Sequence, residues 1–317
     1  MFMDYKYDAR LMVRCAKMHY EENMKQNEVA QRLGVSKATV SRIINYAKEQ
    51  KIIEFTVNNP FSDEIVQLEK DIEDRYQMRE VIIADISSDD EEKIKSAIAK
   101  EAAKYLMRVL NPGMKIGVSS GTTLAEIPKY IENAKTNDYT FVPMVGGNGQ
   151  YLPNIQTNNI ALNFARKFKS EAKMLHAPAM VEKLENKRIL VEDPGIKSVL
   201  TLLGNLDIAL MGIGSSTSHS TVKMVAEFLS NEELDRIGEK GAVADVCNIF
   251  VDKDGRGDAY ESNDRVIGIT LEKLRKIPLR VAVAGHVNKA NAIKGILNTD
   301  LANVIVVDYK TARKLME

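Results

Sequence analysis

Apolar positions along this chain follow two rhythms in turn. Over Asp8–Tyr20 the spacing of Leu11, Met12, Cys15, Ala16 and His19 is helical. Lys25–Leu33 predicts a short second helix ended by Gly34, and Ser36 caps a third that runs to about Lys51. Ile52–Val57 is β-like and is expected to close this first unit, followed by a turn at Asn58-Asn59-Pro60-Phe61. Ser62 then begins a helix to about Tyr76, with Ile65, Leu68, Ile72 and Tyr76 on one stripe. That stripe suits a linker helix paired between subunits as well as one packed on its own domain.

From Glu80 onward short apolar strands alternate with helical segments. The expected strands are Val81–Asp85, Lys115–Ser119, Thr140–Val145, Ala172–Leu175, Asp207–Ile213, Arg280–Ala284 and Val304–Asp308. The expected helices are Glu91–Leu110, Thr123–Tyr130, Asn158–Phe168, Pro194–Leu203, Thr221–Leu229, Lys289–Leu297 and Thr311–Met316. Such alternation predicts an open parallel α/β sheet covered on both faces. The organisation expected is a small helical domain over residues 1–57, a linker and connecting helix over 58–78, and a large α/β domain over 79–317.

Composition sharpens this. A length of 317 residues fits two domains, at roughly 100–200 residues per domain. With 44% hydrophobic and 28% charged residues, wholesale disorder is excluded. The 44 Lys and Arg balance 44 Asp and Glu, which argues against nucleic-acid binding only if charge is evenly spread. It is not: Met1–Val57 holds 10 basic and 7 acidic residues, the remainder 34 and 37. A basic head on a mildly acidic body is the asymmetry of a nucleic-acid-binding module joined to something else. Cys15 and Cys247 form no CxxC, and His19, His176, His219 and His286 lack HExxH spacing, so no metal site is indicated. The N-terminus lacks a signal-peptide pattern, and no apolar run approaches the roughly 18 residues that span a bilayer. A cytoplasmic protein without a membrane partner is expected.

The most specific local signal is the segment Gln26–Ile44. Ala30 is small enough for two helices to approach, and Gly34 tolerates the positive φ of a tight turn. Val29, Leu33, Val35, Val40 and Ile43 sit where they would fill the angle between the helices. Ser36 caps the second helix, whose first turns project Lys37, Ala38, Thr39, Ser41 and Arg42. In a helix-turn-helix these residues reach base edges in the major groove. Arg42 suits guanine, Ala38 or Thr39 a thymine methyl, and Lys37, Ser41 and Lys48 phosphates.

Ser36–Lys48 followed by Val57-Asn-Asn-Pro-Phe61 resembles the DeoR-like and SorC-type sugar-responsive bacterial transcription regulators. The resemblance continues through Gly117-Val-Ser-Ser-Gly-Thr-Thr123, Pro143-Met-Val-Gly-Gly147, His176-Ala-Pro178, Gly212-Ile-Gly214, Gly241–Val246 with Phe250-Val-Asp252, and Ala284–Ala290. It implies a winged or wing-like helix-turn-helix, then an effector domain of the sugar-phosphate isomerase/deaminase (Rossmann-like) type. It also implies a homo-oligomer, dimer or tetramer, on double-stranded operator DNA. Each head carries only a small positive charge, so operator affinity is expected from two or more heads acting together.

Strand Lys115–Ser119 runs into a loop before a helix. There the hydroxyls of Ser119, Ser120, Thr122 and Thr123 and the helix-start amides form an anion cradle, with Gly121 allowing close approach. The loop lacks GxxxxGK[ST] and GxGxxG, so no nucleotide or dinucleotide cofactor is expected. The resemblance implies that this loop grips the phosphate of a phosphorylated sugar or polyol. Gly146 and Gly147, and Gly212 and Gly214, follow other strands and are expected to line the same edge, with Gln156 near sugar hydroxyls. Asp245 and Lys289 match family positions that approach the effector. Two departures, Ser120 for a usual aromatic and Ala244 for a usual Gly, leave the particular sugar open.

An alternative reading is a sugar-phosphate isomerase or deaminase with a DNA-binding appendage. Catalysis there needs a positioned base, and no acidic residue follows Pro143–Gly147 where an enzyme would place one. Asp245 alone is insufficient, and the spacing of His219 is loose. No catalytic residue is therefore assigned.

Overall fold

The computed structural model of the chain describes residues 6–56, 62–132, 138–147, 153–215 and 228–317. The turn expected at 58–61, His219, and all but the end of the helix expected over Thr221–Leu229 lie outside them. The chain divides into two compact units, Met1–Pro60 and Phe61–Glu317.

The first unit contains α1 (Ala9–Ala16) with a π-helical turn over Lys17–Glu21, α2 (Gln26–Leu33) and α3 (Lys37–Glu49). Asp8 caps α1 by accepting from the amides of Arg10 and Leu11. Nine side chains, Met12, Cys15, Met18, Val29, Ala30, Val40, Ile43, Ile44 and Ala47, form its buried core, with Leu33 and Val35 partly buried against it. Gly34 has φ +68°, and the Val35 and Gly34 amides donate back to the carbonyls of Ala30 (3.0 Å) and Gln31 (3.4 Å). This left-handed stop turns the chain from α2 into α3. The strand expected over Ile52–Val57 does not form in its described part. Lys51 ends α3 with φ +55°, and the amides of Ile52 and Ile53 both donate to the Ala47 carbonyl. Amides committed to a helix end cannot enter a ladder, so no wing strand follows α3 among the described residues.

The second unit opens with α4 (Asp63–Tyr76), capped by Ser62, whose Ile65, Leu68 and Ile72 are buried in this unit's own core. Then come β1 (Glu80–Ala84), α5 (Glu91–Val109), β2 (Lys115–Val118), α6 (Thr122–Glu126), β3 (Thr140–Pro143), α7 (Thr157–Phe168) and β4 (Glu171–Ala172). Next are α8 (Leu184–Glu192), α9 (Pro194–Leu202), β5 (Ile208–Met211), β6 (Gly214–Ser215), α10 (Asn231–Glu239), β7 (Ala244–Val246) and β8 (Ile249–Val251). Finally α11 (Leu271–Lys276), β9 (Leu279–Val283), α12 (Ala290–Leu297), β10 (Val304–Asp308) and α13 (Tyr309–Met316) complete the unit.

Seven strands form one parallel sheet in the order β1-β10-β9-β5-β2-β3-β4. The alternation of a pleated strand sends its apolar residues to both faces. Ile116, Val118, Ile208, Leu210, Val281 and Val283 face a core with Ile98 and Leu106 of α5 and Phe164 of α7. Val142, Ala209, Met211, Ala282, Ile305 and Val307 share the other core with α4, α9 and α12. Two carboxylates close the free edge of β1: the Val81 and Ile83 amides donate to Glu73 and Glu69 of α4, each at 2.9 Å. From β2 the chain moves outward through β3 to β4, then returns to β5 on the other side of β2. The strand order therefore reverses between β2 and β5, the place where open α/β sheets leave a crevice at their carboxyl ends. An antiparallel sheet of β6, β7 and β8 stands beside that edge.

Candidate functional site

In the first unit Ser36 caps α3 through its Oγ, which accepts from the Thr39 amide at 3.1 Å and pairs with Thr39 Oγ1 at 2.8 Å. Lys37, Ala38 and Arg42 are exposed on the first turns of α3, and Thr39 and Ser41 are half-buried. Arg42 Nε donates to the Ala38 carbonyl at 3.2 Å, a bond that does not use the terminal nitrogens a guanine contact needs. Lys48 lies 5.3 Å from the Phe55 ring and 5.8 Å from the Tyr20 ring, an attraction between cation and aromatic face.

In the second unit the twelve expected ligand-site residues form a connected set at the carboxyl edge of the sheet. Ser119 is the joint at the reversal point: 2% exposed, its Oγ accepts from the Gly212 amide at 3.2 Å and donates to the Ser120 carbonyl at 3.1 Å. Gly121 has φ +147°, which glycine accepts readily, and its amide donates to Ile155 beside Gln156. Thr122 and Thr123 open α6 half-exposed. The Gly146 and Gly147 amides are already committed, donating to Ile267 (3.0 Å) and Ala177 (2.9 Å). These glycines therefore form a bare wall rather than a donor pair, and the Gln156 side chain lies over Gly147. Gly214 pairs with Asp245 across β6 and β7, and Lys289 Nζ donates to the Ile213 carbonyl at 3.5 Å between the two glycines of Gly212–Gly214.

Charge gathers here. Burial lowers the Lys289 pKa, and the nearby Asp245 and Glu91 carboxylates only partly offset it while Lys95 adds to it. Lys95 bridges Glu91 and Glu92, each at 3.0 Å; its burial works against the charge, but these bonds prevail and raise its pKa. Sequence reasoning missed Lys95 and Glu91, because a charged pair near a helix start looks like any solvated face.

The depressed lysine gives a pH expectation. In the window between the lowered pKa of folded Lys289 and the ordinary lysine value, the unfolded chain binds the extra proton, so stability rises with pH there. If charged Lys289 holds an anion, that anion is expected to be lost across the same window. Phosphate affinity measured by calorimetry is thus expected to decline at a lower pH than an ordinary lysine would dictate. Lys289→Arg should remove the decline, since arginine stays charged; an unchanged profile would take Lys289 out of anion binding.

The first unit is a helix-turn-helix, and the second is a parallel α/β sheet with polar residues gathered at its strand reversal, the architecture of a two-domain regulator. Residues 61–317 match the family model described as "Putative sugar-binding domain", and residues 14–50 match that of "Sigma-70, region 4". The chain belongs to the SorC/DeoR family of sugar-binding transcriptional regulators. The deoxyribonucleoside regulator of Bacillus subtilis (strain 168) is 28% identical over 307 residues, 97% of each protein. The crystal structure of the full-length sorbitol operon regulator SorC from Klebsiella pneumoniae aligns with a TM-score of 0.76 at 26% identity, covering 97% of this chain and 99% of that one. A DeoR family transcriptional regulator from Listeria monocytogenes is 30% identical, with a TM-score of 0.73, covering 79% of this chain and 99% of that one. These relatives are transcriptional regulators, not enzymes, and this chain is a transcriptional regulator with a DNA-binding helix-turn-helix and a sugar-binding effector domain.

Proposed function

We propose that the chain controls carbohydrate catabolism genes in the cytoplasm by binding operator DNA as a homo-oligomer under the control of a phosphorylated sugar or polyol. The observation that carries this reading is the convergence at the strand reversal of a hydroxyl-rich loop (Ser119–Thr123), a side-chain-free wall (Gly146, Gly147) and a half-buried lysine. The hydroxyls and first amides of α6 suit the phosphate, and Lys289 adds charge. Gln156 and Asp245 suit sugar hydroxyls, and Gly212 leaves room beside them. The names of two relatives, a deoxyribonucleoside and a sorbitol regulator, favour pentose and hexitol phosphates as the first probes. Lys37, Ala38, Thr39, Ser41 and Arg42, on a helix capped by Ser36, face the major groove in this reading. A ligand changes operator affinity only by binding the DNA-competent and incompetent states unequally.

The test is a gel-shift titration on DNA upstream of the chain's own gene, with and without 2-deoxyribose 5-phosphate, ribose 5-phosphate, glucitol 6-phosphate and glucose 6-phosphate. Arg42→Ala is expected to cost about 1–3 kcal/mol on the cognate operator and to relax one base preference. Thr122→Ala is expected to spare DNA binding and blunt the sugar-phosphate response. A normal response in Thr122→Ala would move the phosphate site elsewhere, and retained base preference in Arg42→Ala would remove that residue from readout.

A further inference from the structure

The turn between β9 and α12 carries more than Lys289. Gly285 has no room for a side chain, since a Cβ there would collide with the Asp308 carboxylate and Ile98. His286 follows at φ +79°, a conformation disfavoured for any residue with a Cβ. Its amide is held by Asp308, donating to Oδ2 at 2.8 Å. Asp308 is 1% exposed, and its other oxygen accepts from the Thr311 amide at 3.0 Å, which caps α13. That helix is in turn fastened to α4. Tyr309 Oη donates to Glu64 Oε1 at 2.6 Å, Arg313 donates to the same oxygen at 2.7 Å, and the Tyr76 hydroxyl donates to the Leu315 carbonyl at 2.9 Å. Glu64 lies in the first turn of α4, the element that follows the helix-turn-helix unit along the chain.

We infer that Asp308 is a positioning residue with two ends: one oxygen sets the ligand-facing turn Gly285–Lys289, and the other sets the helix that holds the start of α4. The inference rests on the ligand site proposed above and adds a route by which its state reaches α4. A carboxylate bonded at both oxygens cannot follow a displaced turn without disturbing the cap it makes. Any ligand that draws Lys289 inward pulls on the His286 amide, and the strain is passed to Tyr309 and Arg313. The last link is made by exposed groups, so the coupling it carries is a modest one.

Amide hydrogen exchange in the full chain, without ligand or DNA, reads this route directly. Tyr309→Phe removes the hydroxyl that donates to Glu64 and accepts from Arg313, and leaves the hydrogen bonds of Asp308 in place. It is expected to speed exchange of the His286 amide about twofold to fivefold, the scale of one exposed bond, with β5 and β9 unchanged. Asp308→Asn keeps a good helix cap but turns an amide nitrogen toward the His286 N–H. It is expected to speed the same amide further while α13 stays protected. If only Asp308→Asn changes the His286 rate, the route to α4 is overturned and Asp308 is a local support. If neither does, the whole inference is overturned. Failure of the ligand reading shows separately, as no rise in melting temperature with any of the four sugar phosphates, and leaves the exchange result intact.

Discussion

Replacing Gly146 by alanine is expected to destabilise the second unit by about 1–3 kcal/mol, the usual cost of forcing a methyl into a packed site, and to abolish the sugar-phosphate response proposed for it. Three segments meet at this residue. Its amide donates to Ile267 at 3.0 Å, Gly147 donates to Ala177 at 2.9 Å, and Ala179 donates to Gly147 at 2.7 Å. A Cβ on Gly146 would press into the carbonyls of Pro178 and Ala177, only 2.5 Å from the latter. Carbonyl oxygens of a braced backbone cannot swing aside as a side chain does, so the wall itself must shift. Gly147→Ala is the control: its Cβ would meet only the Gln156 side chain at 3.4 Å, with Ala177 O at 4.0 Å. Denaturant unfolding of both variants checks the contrast. Equal stability would show that the wall yields easily, and the pocket would lose its rigid side.

The second large effect falls in the small unit. Ile43 is fully buried among nine core side chains. Truncating a buried isoleucine to alanine typically removes about 2–5 kcal/mol. A core of a chain this short seldom supplies more than about 3–5 kcal/mol. Ile43→Ala is therefore expected to unfold the first unit and eliminate operator binding, while the unit beginning at Phe61 keeps its own melting transition. Fluorescence anisotropy on operator DNA and calorimetry of the full chain check this together. A single transition, lowered as a whole, would mean that the two units do not melt separately.

Most of the sheet was legible because both of its faces are covered. Strands such as Val304–Asp308 are apolar at nearly every position, and a short continuous apolar run between helical periods has few other readings. Elements that bury little left no such mark. The α8 helix buries none of its residues, and α10 buries only Ile237. The hairpin of β7 and β8 has three-residue strands, too short for any period to appear. The expected strand after α3 failed for a different reason: β-branched Ile52 and Ile53 suit a strand, but their amides are already taken by Ala47. In the proposed ligand site, the sequence placed glycine and hydroxyl residues at strand ends, and the structure sets them at the carboxyl edge of the sheet. Their division of labour was not legible, because it depends on which amides the fold has already used. Asp308 escaped notice because an aspartate ending a strand looks like an ordinary helix cap. Only its second partner, the amide of a histidine at positive φ, sets it apart.

The glutamates at the edge of β1 bear on whether a strand of another chain can join this sheet. Glu69 is half-buried beside Glu73, Glu80 and Glu101, and burial first, then these like charges, raises its pKa despite the bond from Ile83. The amides it and Glu73 occupy are the ones a neighbouring strand would need. At the opposite end of the sheet β4 is only two residues long and offers little to extend. The seven-stranded sheet is thus closed to growth from one molecule into the next. In the homo-oligomer proposed above, contacts between copies are therefore expected side chain to side chain, through helices and loops, where the proposed effector could loosen or tighten them without breaking a ladder.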